Sequence, residues 1–505
     1  MQRMIDVGKT IQATGLPLLS SLLPLTFTAN ELGARTTRPP FDPGSAWPDH
    51  LAWGLDSVAA AVRLILSLQP IGASVIARTQ LERWSSNLEF NSDIPQAPGE
   101  ETVVWLNRIW EASGGLPNHL TTQVGDIFGL LSELMHARGP LMSLVWLDIA
   151  DIAEPPTSEH LILIEDISDA LVVSLTRIQA CLATAAAEKG WGVLASTTAK
   201  LPLVSPAQGW LPDLRSLIWP LRPSFFQMPA VKSQLGALAT GHLRTLSALQ
   251  ASKTPKEPIE MWPALSFGDH RFRARAVASV AYENERMQLG DRSRKDGIEE
   301  LSTEAVLAGE MAAILAIWLR EDPERSFAAD AFAVCASGLR SAEWLWLEDD
   351  PRAMGCLRCV VEQLARARTW RLKPERANKI EQSPNSTPRD WIEGAGWRRL
   401  NLLNRALGEF AHGSAGVRWH LALDALVALQ KDAENDDIAK YTGRTHALRV
   451  TIFLLAVECA AWTDTLSSNL GAAYRKVIRT TEANADRAIE DLLNHAWEKR
   501  GTPLR

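Results

Sequence analysis

Tyrosine is almost missing from this chain, with three residues in 505, and lysine does not occur between Lys9 and Lys189. Arginine does the work of lysine here, and we read that bias as composition rather than mechanism. Cysteine is scarce and odd in number: Cys181, Cys335, Cys356, Cys359 and Cys459. Five thiols in apolar surroundings exclude a disulfide framework and fit buried thiols in a reducing compartment. No Gly-rich phosphate loop, His-Glu-x-x-His or Gly-x-Ser-x-Gly occurs, so the common NTPase, zincin and α/β-hydrolase readings have no support. No metal site and no cofactor are expected. No apolar run is expected to reach the ~20 residues that a bilayer crossing needs. The net charge of -7 argues against a surface that coats nucleic acid generally, though not against a local basic site.

The stretch Gly15–Phe27, GLPLLSSLLPLTF, has the outline of a signal-peptide core after Lys9. Pro17 and Pro24 interrupt it and Asp6 occupies the region that would be basic, so a cytoplasmic protein is expected.

What the chain does have is helical periodicity. Apolar residues recur at spacings of three and four over Val58–Leu68, Val103–Ala112, Thr121–Ala137 and His160–Ala187. The same spacing covers Glu304–Leu319, Ala328–Trp346, Gly355–Trp370, Trp397–Ala411, Val417–Gln430 and Thr445–Leu466. Alternating β-branched runs are few, so the expected fold class is all-α. Six prolines between Leu201 and Pro229, with Trp210 and Trp219 among them, predict an irregular connection. A helix over Ala230–Ala251 and a second Pro-containing linker over Ser252–Asp269 are expected to follow. The predicted organisation is an irregular segment 1–50, a helical domain 51–200, a connector 201–265 with one helix, and a helical domain 266–505. Leu372–Arg389, rich in Pro, Asn, Ser and charge, reads as an exposed loop. The 19 tryptophans are expected to anchor helix–helix contacts.

The two helical regions can be laid side by side. A Trp closes an amphipathic helix at Trp84 and at Trp370; a variable loop follows; then a Leu-x-Glu-x-x-His segment ends at His136 and at His412. A long helix comes next, with Asp169-Ala170-Leu171 in one region and His446-Ala447-Leu448 in the other, reaching Cys181 and Cys459 about a dozen residues on. This order predicts two related multi-helix bundle domains, descended from a duplication and joined by the Pro/Trp-containing segment.

Several polar groups stand out. Arg405 and His412 sit seven apart in NRALGEFAHG, two turns of one helix, and so share a face. His412 before Gly413 also reads as a helix C-cap, and Arg405 as the i,i+4 partner of Glu409. His136 lies in the equivalent segment, where Gly129 stands in place of the arginine and Arg138 follows two residues later. Arg366, Arg368, Trp370, Arg371 and Lys373 form a basic stretch with an aromatic inside it. They suit RNA phosphate with Trp370 stacking on a base, or equally a solvated helix end. Cys356 and Cys359 fall on one face of an apolar helix and are expected to be buried thiols.

The Arg405-x6-His412 pattern resembles the Arg-x4-6-His motif of the HEPN-like helical superfamily. That resemblance implies paired helical domains with a composite, metal-independent site that cleaves RNA using the 2′-OH as nucleophile. His412 would move the proton, Arg405 would hold the scissile phosphate, and His136 would be the counterpart from the other half. It also implies a bacterial stress or phage-defence setting, with RNA, and a protein partner or second copy, as binding partners. The residues alone support a second reading, a non-catalytic helical scaffold whose Trp residues serve packing and partner contact.

Overall fold

A computed structural model describes residues 47–66, 68–92, 94–149, 158–203, 298–347, 352–383, 386–400 and 436–469, with parts of 18–32, 403–408 and 471–475. Of the described region 83% is helical and none of it is strand, so the fold is all-α. The expected connector beyond residue 203, the helix over Ala230–Ala251, the linker over Ser252–Asp269 and the helix over Val417–Gln430 lie outside the described residues.

The chain divides into two compact units. Unit 1 comprises Met1–Leu134, Arg138–Val280 and His412–Val417; unit 2 comprises Met135–Ala137, Ala281–Ala411 and Arg418–Arg505.

In unit 1 the helices are α1 Trp47–Leu66, α2 Pro70–Ser92, α3 Thr102–Ser113, α4 Val124–Met135, α5 Met142–Ile149, α6 Ser158–Glu188 and α7 Gly192–Ala199. α2 packs against α1, α3, α5 and α6, and α6 also packs against α1 and α7. Tryptophan anchors this core as expected. Trp84 is fully buried and donates to Gln80 Oε1 at 3.1 Å, and Trp110 reaches across to Ser85 Oγ at 2.8 Å. Trp84 does not close its helix, because α2 runs on to Ser92. The residues after it still bury apolar atoms, including Leu88, and Ser85 and Ser86 bond back to carbonyls four residues earlier.

Residues 24–31, expected to be irregular, are helical. Leu25 and Ala29 are buried, and Thr28 shares a 3.2 Å hydrogen bond with Thr198 at the end of α7. In α6 the span Ile162–Glu188 is long and apolar enough to cross a membrane, against expectation, and 56% of its most apolar window is buried. Its packing against α1, α2, α5 and α7 accounts for that apolarity as core.

Gly54 lets α1 approach α2 and α6. A methyl carbon there would lie 2.6 Å from the buried Trp84 ring and 2.9 Å from Ile178. Alanine normally improves a helix by about 1 kcal/mol over glycine, but this ring has no room to yield. Gly54→Ala is therefore expected to lose about 1–3 kcal/mol, read as a lower urea midpoint. An unchanged or higher midpoint would show that the helices separate at little cost.

Unit 2 contains α8 Ile298–Arg320, α9 Ser326–Leu347, α10 Ala353–Leu372, α11 Pro374–Gln382, α12 Pro388–Gly394 and α13 Asp436–Leu466, with 3-10 turns at Pro323–Arg325 and Arg398–Leu400. α10 is its central rod, contacting α9, α11, α12 and α13. Trp462 of α13 donates to the Ala367 carbonyl of α10 at 3.2 Å. All four cysteines of this unit are buried, and burial pushes the Cys335 and Cys459 thiols well up from their usual range.

The loop expected at Leu372–Arg389 is instead two short helices. Pro374 and Pro388 open them rather than break them, because a proline in the first turn gives up only an N–H that lacks a helical partner anyway. Thr387 and Asp390 close a capping box over α12.

Candidate functional site

α10 carries the predicted basic stretch through the middle of unit 2, and this placement gives each of the five residues a protein partner. Arg366 is 2% exposed. Its Nε and Nη2 donate to both oxygens of Glu381 in α11 at 3.0 and 2.8 Å. Arg371 binds Glu458 of α13 in bidentate fashion at 2.7 and 2.9 Å, and Arg368 reaches the same carboxylate at 3.4 Å. Arg368 also donates to the Ala395 carbonyl at 3.1 Å and lies over the Trp397 ring. Lys373 donates to the Gly394 carbonyl at 2.9 Å, tying the end of α10 to the end of α12. The Trp370 ring is stacked on Phe327, with centroids 5.2 Å apart and planes 3° from parallel. The stretch predicted to meet RNA thus joins α10 to its neighbours, and Glu458 carries the charge of two arginines.

The residues of the Arg-x6-His motif are described only in part. Arg405 and His412 lie outside the described residues. Leu403 and Leu407 between and before them are helical and fully buried, as the apolar pattern predicts. Gly408 is also helical and buried. A methyl carbon placed on it would sit 3.4 Å from Nη1 of Arg358, so the motif backbone runs beside that guanidinium.

His136 approaches the same place within unit 2. α4 ends in a Schellman turn: the Arg138 N–H donates to the Glu133 carbonyl at 3.0 Å, and Ala137 takes a left-handed φ of 53°. A non-glycine residue there is strained by about 1–2 kcal/mol. Two α10 side chains hold the turn. Gln363 donates to the Met135 carbonyl at 3.2 Å, and Arg366 donates to the carbonyls of His136 and Ala137 at 3.3 and 3.5 Å. Within unit 2 these bonds satisfy carbonyls of residues 135–137 that a helix end leaves open. The C-cap reading of this histidine thus describes its backbone. Its imidazole, half exposed, places Nδ1 3.9 Å from Oε2 of Glu362, a carboxylate that is 4% exposed. The other oxygen, Oε1, accepts from Arg358 Nε at 2.8 Å.

A cluster of His136, Glu362 and Arg358 therefore lies beside the Gly408 backbone. Of this cluster, sequence reading singled out His136 and the segment containing Gly408, and missed Arg358 and Glu362. Arg358 and Glu362 stand at i,i+4 on a core helix, a spacing so common on helices that it carries no signal alone. Chemically the cluster offers an imidazole for proton transfer beside a carboxylate fixed by a guanidinium. Among the described residues, no group of three or more His, Cys, Asp or Glu side chains is arranged to hold a metal ion. Comparison with protein-family models, curated proteins and solved structures returns no match for this chain.

Proposed function

We propose that this chain is a HEPN-like protein that acts on RNA, with a metal-independent site formed around Arg405, His412 and His136. The supporting observation is the convergence inside unit 2: Gly408 of the motif helix borders Arg358, whose carboxylate partner faces His136. Gly408 and His136, far apart in sequence, thereby border one Arg358–Glu362 ion pair. In the cleavage step the 2′-oxygen bonds to the adjacent phosphorus as the bond from phosphorus to the 5′-oxygen breaks. A histidine takes the 2′-hydroxyl proton and a histidine returns one to the 5′-oxygen, while Arg405 holds the phosphate oxygens. The bacterial stress or phage-defence setting and the cytoplasmic location belong to the same proposal.

The proposal includes two related halves. Cys181 and Cys459 each stand at the twenty-fourth position of a 31-residue helix. Each of these helices packs on the helix that bears Trp84 or Trp370.

The test is cleavage of end-labelled RNA in the presence of a chelator by wild type, Arg405→Ala and His412→Ala. Wild type is expected to cleave, and each variant to lose about 10²–10⁴-fold with its melting temperature kept. Equal cleavage by all three proteins would overturn the catalytic reading.

A second reading, a non-catalytic scaffold that binds a protein partner or a second copy, has its own support. Arg366, Arg368 and Arg371 are engaged by carboxylates of the protein itself. Ile314, Ile317 and Trp318 of α8 are exposed at a spacing that puts them on one helix face. A wild type that cleaves no RNA but associates through that face would favour this reading.

A further inference from the structure

His136 has no arginine in its own segment, yet the fold gives it a carboxylate. We propose that Glu362 is the positioning residue for His136, with Arg358 locking Glu362, so that a carboxylate–imidazole pair forms this part of the site. The inference rests on the RNA-acting reading and deepens it.

Glu362 comes from the middle of α10, which packs against α9, α11, α12 and α13, and its side chain is 4% exposed. Its freedom is further reduced by the 2.8 Å bond from Arg358 to Oε1. Only Oε2 then faces the imidazole, and it faces Nδ1. A carboxylate opposite Nδ1 favours the neutral tautomer with its proton on that nitrogen. This makes Nε2 the basic nitrogen that exchanges a proton with a substrate. The 3.9 Å separation is longer than a hydrogen bond, as such contacts often are before a substrate closes the site.

The backbone of the histidine is fixed from the same helix. Gln363 and Arg366, the residue after Glu362 and the one four positions on, hold the carbonyls of Met135, His136 and Ala137. One stretch of α10 therefore sets both the anchor and the orientation of the ring. The Arg358 guanidinium that locks Glu362 also lies 3.4 Å from where a methyl carbon on Gly408 would sit.

The experiment uses the full chain labelled with ¹⁵N-histidine, and His136→Asn assigns the His136 signals. Imidazole nitrogen shifts report the tautomer. The wild-type neutral ring is expected to carry its proton on Nδ1. Glu362→Gln is expected to move it toward the Nε2-protonated form that free histidine prefers, and Glu362→Asp to restore it in part. In the RNA assay Glu362→Gln should lower kcat by about 10–100-fold and leave KM nearly unchanged. An unchanged tautomer in Glu362→Gln overturns the proposal whether or not RNA is cleaved. A tautomer shift in a protein whose wild type cleaves no RNA supports the pair and overturns the RNA reading. Wild-type kcat in a Glu362→Gln protein whose tautomer has shifted also overturns the proposal, because the orientation then has no catalytic use.

Discussion

Glu458→Ala is expected to lower the stability of unit 2 by about 3–5 kcal/mol, with a fall in melting temperature on the order of 10 °C. The Glu458 side chain is 1% exposed, and its two oxygens take Arg371 at 2.7 and 2.9 Å and Arg368 at 3.4 Å. Removing it takes the Glu458 carboxylate from two guanidiniums, themselves 12% and 14% exposed. The cost is that of partly buried charge left uncompensated, which is larger than the net worth of the intact pair. Arg389 with Glu393 makes the contrast. That pair has an equally short contact of 2.8 Å, but Arg389 is 76% exposed, and Glu393→Ala is expected to change the melting temperature little because water takes the place of the carboxylate. Thermal unfolding of the two variants side by side checks the pair of expectations. A Glu458→Ala protein as stable as wild type would show that water reaches both arginines.

Arg366→Leu is expected to cost a similar amount, about 3–5 kcal/mol, for a compound reason. It removes the two hydrogen bonds that Arg366 gives to Glu381, 10% exposed, and those it gives to the carbonyls of His136 and Ala137. The double variant Arg366→Leu, Glu381→Leu separates the two contributions. Removing both charges should recover the ion-pair part, since a buried pair replaced by apolar side chains is often neutral in stability. The carbonyls still lack the Arg366 donor, so a deficit of about 1–3 kcal/mol is expected to persist. Urea unfolding of wild type, single and double variants gives the three midpoints. A double variant no better than the single one would place the whole effect at the α4 end, and full recovery would place it in the ion pair.

The helices were legible because they rest on local rules. Val103–Ala112, Ala328–Trp346 and Gly355–Trp370 each match an observed helix to within a turn at either end, since an apolar stripe of period 3.6 needs only a core to face. The misreadings have equally local causes. Pro374 and Pro388 read locally as loop signals, yet each opens a helix. Trp84 reads locally as a helix terminus, yet it is the buried middle of the contact between α1, α2 and α6. The candidate site divides in the same way. His136 and the 404–413 segment announce themselves by residue type and by their repeated pattern. Arg358 and Glu362 do not, and neither does the fate of the basic stretch.

The amino-acid sequence by itself determined that this protein is helical, that tryptophans such as Trp84 and Trp110 and cysteines such as Cys356 and Cys359 go inside, and that a histidine ends each of two similar segments. Those properties follow from side-chain volume, period and capping, which act over a few residues. Only the tertiary structure decided that Arg366, Arg368 and Arg371 meet Glu381 and Glu458 rather than solvent, and that His136 meets Glu362. The partners lie 15, 90, 87 and 226 residues apart along the chain. A charge is drawn to an opposite charge in a poorly solvated interior, and which carboxylate it finds depends on where the helices pack.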